Sequence, residues 1–244
     1  MFKQLVMMLA AITLGTNAAH AAPQQIASQQ IAPQKIDAVY DLYRNGQKLG
    51  SVIDSFTRSG KQYQIVSETR AAGPLKLFWP GTIRLDSQGE VNENGLRPNS
   101  FRHARSDRPN KTASAVLDWN KRSIRFQYKS EIRDESGLRD RTQDQLSQLY
   151  QFVFMPRLPS DYSLDVVSGK TRNDYRYRQR DGGKISVPAG LYPVQEFDRI
   201  LSPGDDKAIT VWVAPGHNNF PVQIRVVEDG VTLEQRLVRL TIKP

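Results

Sequence analysis

The sequence predicts an all-β, mainly antiparallel fold, either a curved sheet or a barrel-like domain, with one amphipathic helix near residues 143–155 covering it. Three observations predict this class. Apolar and polar residues alternate in many short runs, tight-turn dipeptides join the runs, and no strand–helix–strand repeat indicates a parallel sheet. Short antiparallel strands at regular spacing are typical of barrels and sandwiches.

The first strands are predicted from "DAVYDLYRNGQKLGSVIDSF". Ala38, Tyr40 and Leu42 fall on one face of a strand, because successive side chains point to opposite faces. Asn45-Gly46 follows, and both residues tolerate the positive φ of a type I′ turn. A hairpin is therefore expected here.

Later strands are predicted from the same two signals. Turns are expected at Asp118 to Lys121, and hairpins at Asp181-Gly182 and Asp229-Gly230. Pro80-Gly81 indicates a bend or a sheet edge. "AITVWVA" is almost continuously apolar and predicts a central buried strand. In all, roughly ten to thirteen strands are expected.

One stretch, "TQDQLSQLYQFVFMP", has the period of a helix instead. Thr142 is the predicted N-cap with Gln145 three residues later, the spacing of a capping box, and Pro156 ends the helix. Asp144 in the first turn suits the helix dipole. The apolar face is expected to pack on the sheet and consists of Leu146, Leu149, Tyr150 and Val153. The polar face, with Ser147 and Gln151, is expected to point to solvent or to an entrance.

The N-terminus has the pattern of a secretory signal peptide. Lys3 precedes an apolar run, Leu5 to Leu14, that is too short to span a bilayer, and Ala19-His20-Ala21 is a small-x-small cleavage site. We expect cleavage after Ala21, export to the periplasm as a soluble protein, and no transmembrane segment in the mature chain. Residues 22–35, rich in Gln, Ala and Pro, predict a disordered leader, and residues 36–244 a single β-rich domain.

Composition excludes several kinds of chemistry. Cysteine is absent, which excludes disulfides, thiolate metal sites and thiol nucleophiles. After cleavage only His103 and His217 remain as imidazole ligands, so we expect no metal and no cofactor. No sequence motif of a metalloprotease, a serine hydrolase or a nucleotide-binding loop is present in a matching context.

The chain is basic, with a formal net charge of +9. Between Arg97 and Arg141 there are 12 Lys and Arg residues against 6 Asp and Glu. Such a surface suits an anionic envelope component, or it is simply a solvated face. No nucleic-acid-binding module is found, so nucleic acid is not an expected partner.

Asp118 beside Trp119 is the best candidate for a carboxylate next to an aromatic ring. The alternative is that Asp118 and Asn120 shape a turn while Trp119 packs. Asp144 is the second candidate for a polar site, with the helix dipole as its alternative explanation.

Several stretches together resemble the bacterial exported family called domain of unknown function 3108. They are "YDLYRNGQKLG", "GEVNENGLRPNSF", "LDWNKRSIRF", "TQDQLSQLYQF", "TVWVA" and "FPVQIRVVEDG", which cover about residues 36 to 242. The matching positions are Gly46, Gly50, Gly95, Leu96, Pro98, Phe101, Asp118, Trp119, Gln143, Asp144, Ser147, Trp212 and Pro221. The resemblance implies an envelope β domain and supplies no activity and no catalytic residues.

Three functions remain open. The first is a non-enzymatic envelope protein that binds a lipid-like or other amphiphilic ligand in an apolar cavity under the helix. Its predicted ligand-binding residues are Trp119, Leu146, Leu149, Tyr150 and Trp212. The second is a hydrolase or sugar-active enzyme that uses Asp118, Asp144 or Glu131. The third is a structural module that binds another envelope protein. The sequence leaves the oligomeric state open.

Overall fold

The computed structural model of the protein describes residues 32–73 and 81–244. The predicted signal peptide and residues 22–31 of the predicted leader lie outside this range, as does Pro80 of the predicted bend. The described residues form fifteen strands: β1 Lys35–Arg44, β2 Gln47–Ser59, β3 Gln62–Ala71, β4 Thr82–Asn92, β5 Gly95–Arg105, β6 Ala113–Asp118, β7 Ser123–Tyr128, β8 Glu131–Ser136, β9 Gln143–Asp144, β10 Asp161–Val167, β11 Arg172–Val187, β12 Gly190–Ile200, β13 Ala208–Ala214, β14 Phe220–Glu228 and β15 Val231–Lys243.

All fifteen strands belong to one sheet, in the order β8-β7-β6-β5-β4-β3-β2-β1-β15-β14-β13-β12-β11-β10-β9. The first and last strands of the domain pair antiparallel in its middle, and the chain runs outward as a meander on both sides. Every pairing is antiparallel except that of β9 with β10. The predicted all-β, antiparallel class is confirmed, and the curved sheet is not closed by hydrogen bonds between its two edge strands, β8 and β9.

Side chains, rather than a strand ladder, join the two ends of the sheet. Leu117 and Phe126 of the β6–β7 hairpin belong to one buried cluster with Val167 of β10. Gly169, in the turn after β10, has a φ of +74°, and a Cβ there would lie 3.0 Å from the carbonyl carbon of Ala113. Only glycine suits both its conformation and this close approach.

The helix is shorter than predicted and begins later. Helix α1 is Ser147–Gln151, and a 3₁₀ turn, Phe152–Phe154, continues it. Two further 3₁₀ turns are Pro109–Lys111 and Pro215–His217. The start of the predicted helix is instead strand β9, because its backbone pairs with β10. No helix in the described ranges is long and apolar enough to cross a bilayer.

The cap and the polar face of the helix also differ from the prediction. Thr142 donates its hydroxyl hydrogen bond to the carbonyl of Arg139 and does not cap α1. Ser147 and Gln151, predicted to face solvent or an entrance, are buried. Helix α1 is therefore embedded on both faces, since β5, the turn before it and β9 supply polar partners to the side that the sequence assigns to solvent.

Aromatic rings occupy the interior beneath α1. The ring of Phe56 on β2 lies 6.1 Å from that of Tyr63, 5.9 Å from that of Tyr150 and 5.4 Å from that of Phe154. Tyr150 also meets Phe220 edge to face at 5.9 Å. The predicted apolar face of the helix thus packs on the inner face of the sheet.

Two of the three predicted glycine hairpins are confirmed. Asn45-Gly46 and Asp229-Gly230 have positive φ at both positions and join paired strands. The hairpin at Asp181-Gly182 is wrong, because β11 runs through it with an irregularity in its pairing to β12. The chain reverses later, where Val187 pairs with Gly190.

Candidate functional site

A cleft of about 730 Å³ opens at the C-terminal end of α1. Its walls are the β4–β5 turn, the β6–β7 turn, the segment that leads into β9 and the segment between α1 and β10. Trp119 lies in the wall formed by the β6–β7 turn, and Met155, Pro156 and Tyr162 lie in the wall formed by the segment that leads into β10. We call this the Trp119 cleft. It combines aromatic and apolar surface with amide and guanidinium groups.

The β6–β7 turn holds Trp119 in place. Asp118 Oδ1 accepts hydrogen bonds from the backbone N–H of Asn120 at 3.1 Å and of Lys121 at 2.9 Å. The bond from Lys121 is the main reason why the pKa of Asp118 is lowered. The carboxylate therefore shapes the turn, as in the alternative explanation of this residue.

The Trp119 ring has two further contacts. Its indole N–H donates a 2.9 Å hydrogen bond to the carbonyl of Pro98. The guanidinium carbon of Arg97 lies 4.6 Å from the ring centroid, a cation–π geometry. The ring is half-buried, so a fixed aromatic surface remains in the wall of the cleft.

Two glutamines connect α1 and β9 to the start of β5. Gln151 accepts a 2.7 Å hydrogen bond from the Leu96 N–H and donates one of 2.7 Å to the Asn94 carbonyl. Gln143 Nε2 donates a 2.7 Å bond to the Leu96 carbonyl. Gly95 has a φ of +96°, and a Cβ there would lie 2.5 Å from the Gln151 amide. Residue 95 must therefore be glycine for this bridge to form.

The Oε1 atom of Gln143 is buried and accepts no hydrogen bond within residues 32–73 and 81–244. Gln143 is 3% exposed and lines the Trp119 cleft. A buried amide oxygen without a partner is unfavourable by about 1–3 kcal/mol. Gln143 is therefore a cleft residue whose hydrogen-bonding capacity the described residues do not fill.

Asp144 lies beneath α1 rather than in the cleft. Its Oδ1 accepts hydrogen bonds from the N–H of Leu146 at 2.9 Å and of Ser147 at 2.7 Å, and Ser147 Oγ accepts one from the Asp144 N–H. Its Oδ2 accepts a 2.5 Å bond from Ser87. Burial raises the pKa of Asp144 to about 6, and these hydrogen bonds oppose the rise. Asp144 is thus the cap that the sequence analysis assigned to Thr142.

Asp54 on β2 is a second buried carboxyl. Burial raises its pKa to about 6, although hydrogen bonds from Ser67 and Tyr150 oppose the rise. The Tyr150 hydroxyl reaches Asp54 Oδ2 at 3.5 Å, and Asp54 Oδ1 has no hydrogen-bond partner in the described part of the chain. The alternation in β2 predicts that residue 54 points inward. Nothing in the neighbouring sequence predicts that a carboxyl group is buried there.

The structure brings one predicted ligand-binding residue, Trp119, into the cleft. Leu146 and Tyr150 belong to the main core cluster, and Leu149 is half-buried between that cluster and the neighbouring one. Trp212 is also in the main cluster, where its N–H donates a 2.8 Å bond to Glu196. Other residues of the cleft were not predicted to bind a ligand, and they include Gln143, Gln151, Arg141, Arg157 and Tyr162.

The carboxylates of the hydrolase hypothesis do not meet in a cleft. Asp118 pairs with Ser123 and Glu131 pairs with Tyr128, at opposite ends of β7. Five residues along a strand span ~17 Å, which exceeds the separation of ~5–9.5 Å used in glycoside hydrolysis. Asp144 is fully buried. In the described ranges, no three His, Asp or Glu residues are grouped as metal ligands.

Comparison with known proteins gives the fold and the family. No protein with a curated description matches the sequence. A crystal structure of a β-barrel-like protein of domain of unknown function DUF1849 from Brucella abortus is similar, with a TM-score of 0.53 and 12% identity over 87% of this chain and 99% of the other. A hypothetical protein from Chlamydia trachomatis aligns with a TM-score of 0.36 and 9% identity over 84% of this chain and 87% of the other.

The first of these structures shows that the barrel-like sheet is a fold found in solved proteins. The sequence itself matches the model of the family described as protein of unknown function DUF3108 over residues 39–236. This match begins within β1, ends within β15 and includes every wall of the Trp119 cleft. The chain therefore belongs to the DUF3108 family.

Proposed function

We propose that this protein is a non-enzymatic protein of the cell envelope that binds an amphiphilic ligand in the Trp119 cleft. Export rests on the signal-peptide pattern of residues 1–21. The observation that carries the binding proposal is that Gln143, whose buried Oε1 has no hydrogen-bond partner among the described residues, lines a cleft of about 730 Å³. Buried polar atoms in native proteins are nearly always hydrogen-bonded, so an exception that lines a cleft points to a ligand.

The cleft offers the two kinds of surface that an amphiphile needs. Gln143 and the Asn92 and Asn94 side chains provide hydrogen-bonding groups for a polar head group that carries hydroxyls. Met155 and Tyr162, with two prolines nearby, provide apolar surface for a chain. Ligand sites commonly combine apolar walls with a few convergent polar groups.

We propose the cleft, rather than the space directly beneath α1, as the binding site for a physical reason. The space under the helix holds stacked rings of Phe56, Tyr63 and Tyr150. A chain entering there would have to displace them, and each such ring contributes ~3–5 kcal/mol to stability. The cleft is already open and needs no such rearrangement.

Native mass spectrometry of the protein purified from its host tests this proposal. The wild-type protein should carry an adduct of amphiphile mass that Trp119→Ala loses. Trp212→Phe, a conservative change in the core, should retain it. An adduct lost in Trp212→Phe and kept in Trp119→Ala would place the ligand in the interior. Absence of any adduct from the wild-type protein would contradict the binding function.

A further inference from the structure

We propose that the ligand's head group is anionic, a phosphate or carboxylate that Arg97, Arg141 and Arg157 bind together. This inference rests on the proposed function and specifies the chemical class of the ligand. All three arginines line the Trp119 cleft. Guanidinium groups suit these anions because their planar N–H donors match two oxygen atoms at once.

Charge balance in the cleft supports this class. Within the described ranges, none of the three arginines forms an ion pair with a carboxylate, whereas most arginines in strands do. Arg84, for example, lies 2.8 Å from Glu68 and 2.7 Å from Asp86, and Arg125 lies 2.8 Å from Asp134. The cleft therefore concentrates positive charge that the protein leaves uncompensated.

The two acidic residues of the cleft interact with other arginines. Asp140 pairs with Arg122, which is not in the cleft. Asp161 lies 3.7 Å from Arg176 and 3.5 Å from Arg178, both on β11. Neither carboxylate neutralises the cleft arginines, so an anion entering the cleft meets three guanidinium groups.

An aromatic ring holds one of these arginines. The guanidinium carbon of Arg97 lies 4.6 Å from the centroid of the Trp119 ring, which keeps this group beside the aromatic surface of the cleft. The positive charge of Arg141 opposes the rise in the pKa of Tyr162 that burial causes, and both residues line the cleft. An anionic head group bound there would leave its chain against Met155 and Tyr162.

Calorimetric titration with two short-chain lipids tests the inference. Dihexanoyl phosphatidylglycerol and dihexanoyl phosphatidylcholine, both below their critical micelle concentrations, have the same chains and differ in net charge. The wild-type protein should bind the anionic lipid about tenfold more tightly, since three charge contacts at solvent-accessible arginines each contribute modestly. Added salt should reduce the difference.

The variant R97Q/R141Q/R157Q should lose this discrimination. A matched control, R44Q/R102Q/R239Q, removes three exposed arginines from elsewhere on the surface and should retain it. If the first variant fails to fold, R141Q/R157Q replaces it, because both of these side chains are exposed. Equal binding of both lipids by the wild-type protein, or discrimination that survives in R97Q/R141Q/R157Q, would overturn the inference.

Two further outcomes separate this inference from the proposed function. If neither lipid binds, the amphiphile-binding function fails and the inference fails with it. Free glycerol 3-phosphate and inorganic phosphate form the last arm of the experiment. Binding of either as tightly as the anionic lipid, with loss in R97Q/R141Q/R157Q, would support the anion site and contradict an amphiphile as the ligand.

Discussion

The Oγ of Ser87 on β4 donates a 2.5 Å hydrogen bond to the Oδ2 of Asp144, the residue that caps α1. The Tyr63 hydroxyl lies 3.2 Å from the same Oγ. The cap is therefore bonded to the sheet as well as to the helix, and both carboxylate oxygens of Asp144 are used. This explains how a helix of five residues keeps its position in a β domain.

Asp144→Ala should destabilise the protein by about 2–4 kcal/mol, because three donors beneath α1 lose their acceptor. A contribution of the helix dipole alone is only ~0.3–1 kcal/mol. Asp144→Asn, which keeps one acceptor oxygen, should lose less than half as much. Urea unfolding at neutral pH measures all three proteins. If the free energies of unfolding of Asp144→Ala and the wild type differ by only ~0.5 kcal/mol, Asp144 contributes no more than its interaction with the helix dipole.

Stability should fall as pH rises from about 4 to about 6. Burial raises the pKa of both Asp54 and Asp144 to about 6, against ~3.9 in an unfolded chain. The folded protein therefore binds the protons of these two carboxyls more tightly than the unfolded chain does. The protons stabilise the folded state fully at a pH below the carboxyl pKa in the unfolded chain, and this stabilisation is lost as pH rises through the carboxyl pKa in the folded protein. Each group contributes ~3 kcal/mol to this change, an order-of-magnitude figure.

Asp54→Asn separates the two carboxyls. It should remove about half of the change in unfolding free energy between pH 4.5 and pH 7, measured by urea unfolding. Arginines lower the pKa values of the exposed residues Asp107 and Asp134. These two carboxylates therefore make the protein less stable as pH falls, and they do so at a lower pH than the buried pair titrates. A stability curve that is flat from pH 4.5 to pH 7 would show that the two buried carboxyls do not titrate in this range.

The apolar face of α1 should contribute unequally to stability. Leu146 is 3% exposed within the main core cluster, so Leu146→Ala should cost ~3–5 kcal/mol. Leu149 is half-buried between two clusters, and Leu149→Ala should cost ~2 kcal/mol because the space can partly relax. Thermal and urea unfolding compare the two. Equal losses would contradict the observed difference in packing.

Gly169 tests the contact between the two ends of the sheet. Gly169→Ala places a Cβ 3.0 Å from the backbone of Ala113 at a φ of +74°, whereas Gly204 has a φ of +83° and no atom within 4 Å of its Cβ position. Both variants place alanine in the left-handed backbone region, which costs ~1–3 kcal/mol of stability. Gly169→Ala should lose a further ~1–3 kcal/mol compared with Gly204→Ala, and this difference measures the steric clash with Ala113. Equal unfolding free energies would show that the ends can separate without cost.

Local signals in the sequence predict much of this fold. Asn45-Gly46 and Asp229-Gly230 determine their turns without help from distant residues, so both hairpins are correctly predicted. At Asp181 the same kind of signal is misleading, because a positive φ at Gly183 serves an irregularity inside β11. Strand β8, "EIRDES", is missed because an exposed edge strand carries charges on both faces.

Long-range partners decide what the sequence could not predict. The side chains of Ser147 and Gln151 are polar but buried, since Gln151 bonds to Asn94 and Leu96, more than fifty residues earlier. In the candidate site, Trp119 is found because an aromatic beside a turn carboxylate stands out. Arg157 and Gln143 have no local pattern that marks them, and only the fold brings them to the same cleft.

Photo-crosslinking can show directly whether the ligand lies in the Trp119 cleft. An anionic phosphate amphiphile with a diazirine in its chain would be irradiated with the wild-type protein, and the labelled residues identified by tandem mass spectrometry. If the ligand lies in the cleft, residues 155–162 should be labelled, and free anionic lipid should compete the labels away. Labels on Leu149, Tyr150 or Trp212 instead would place the chain beneath α1 and contradict binding in the cleft.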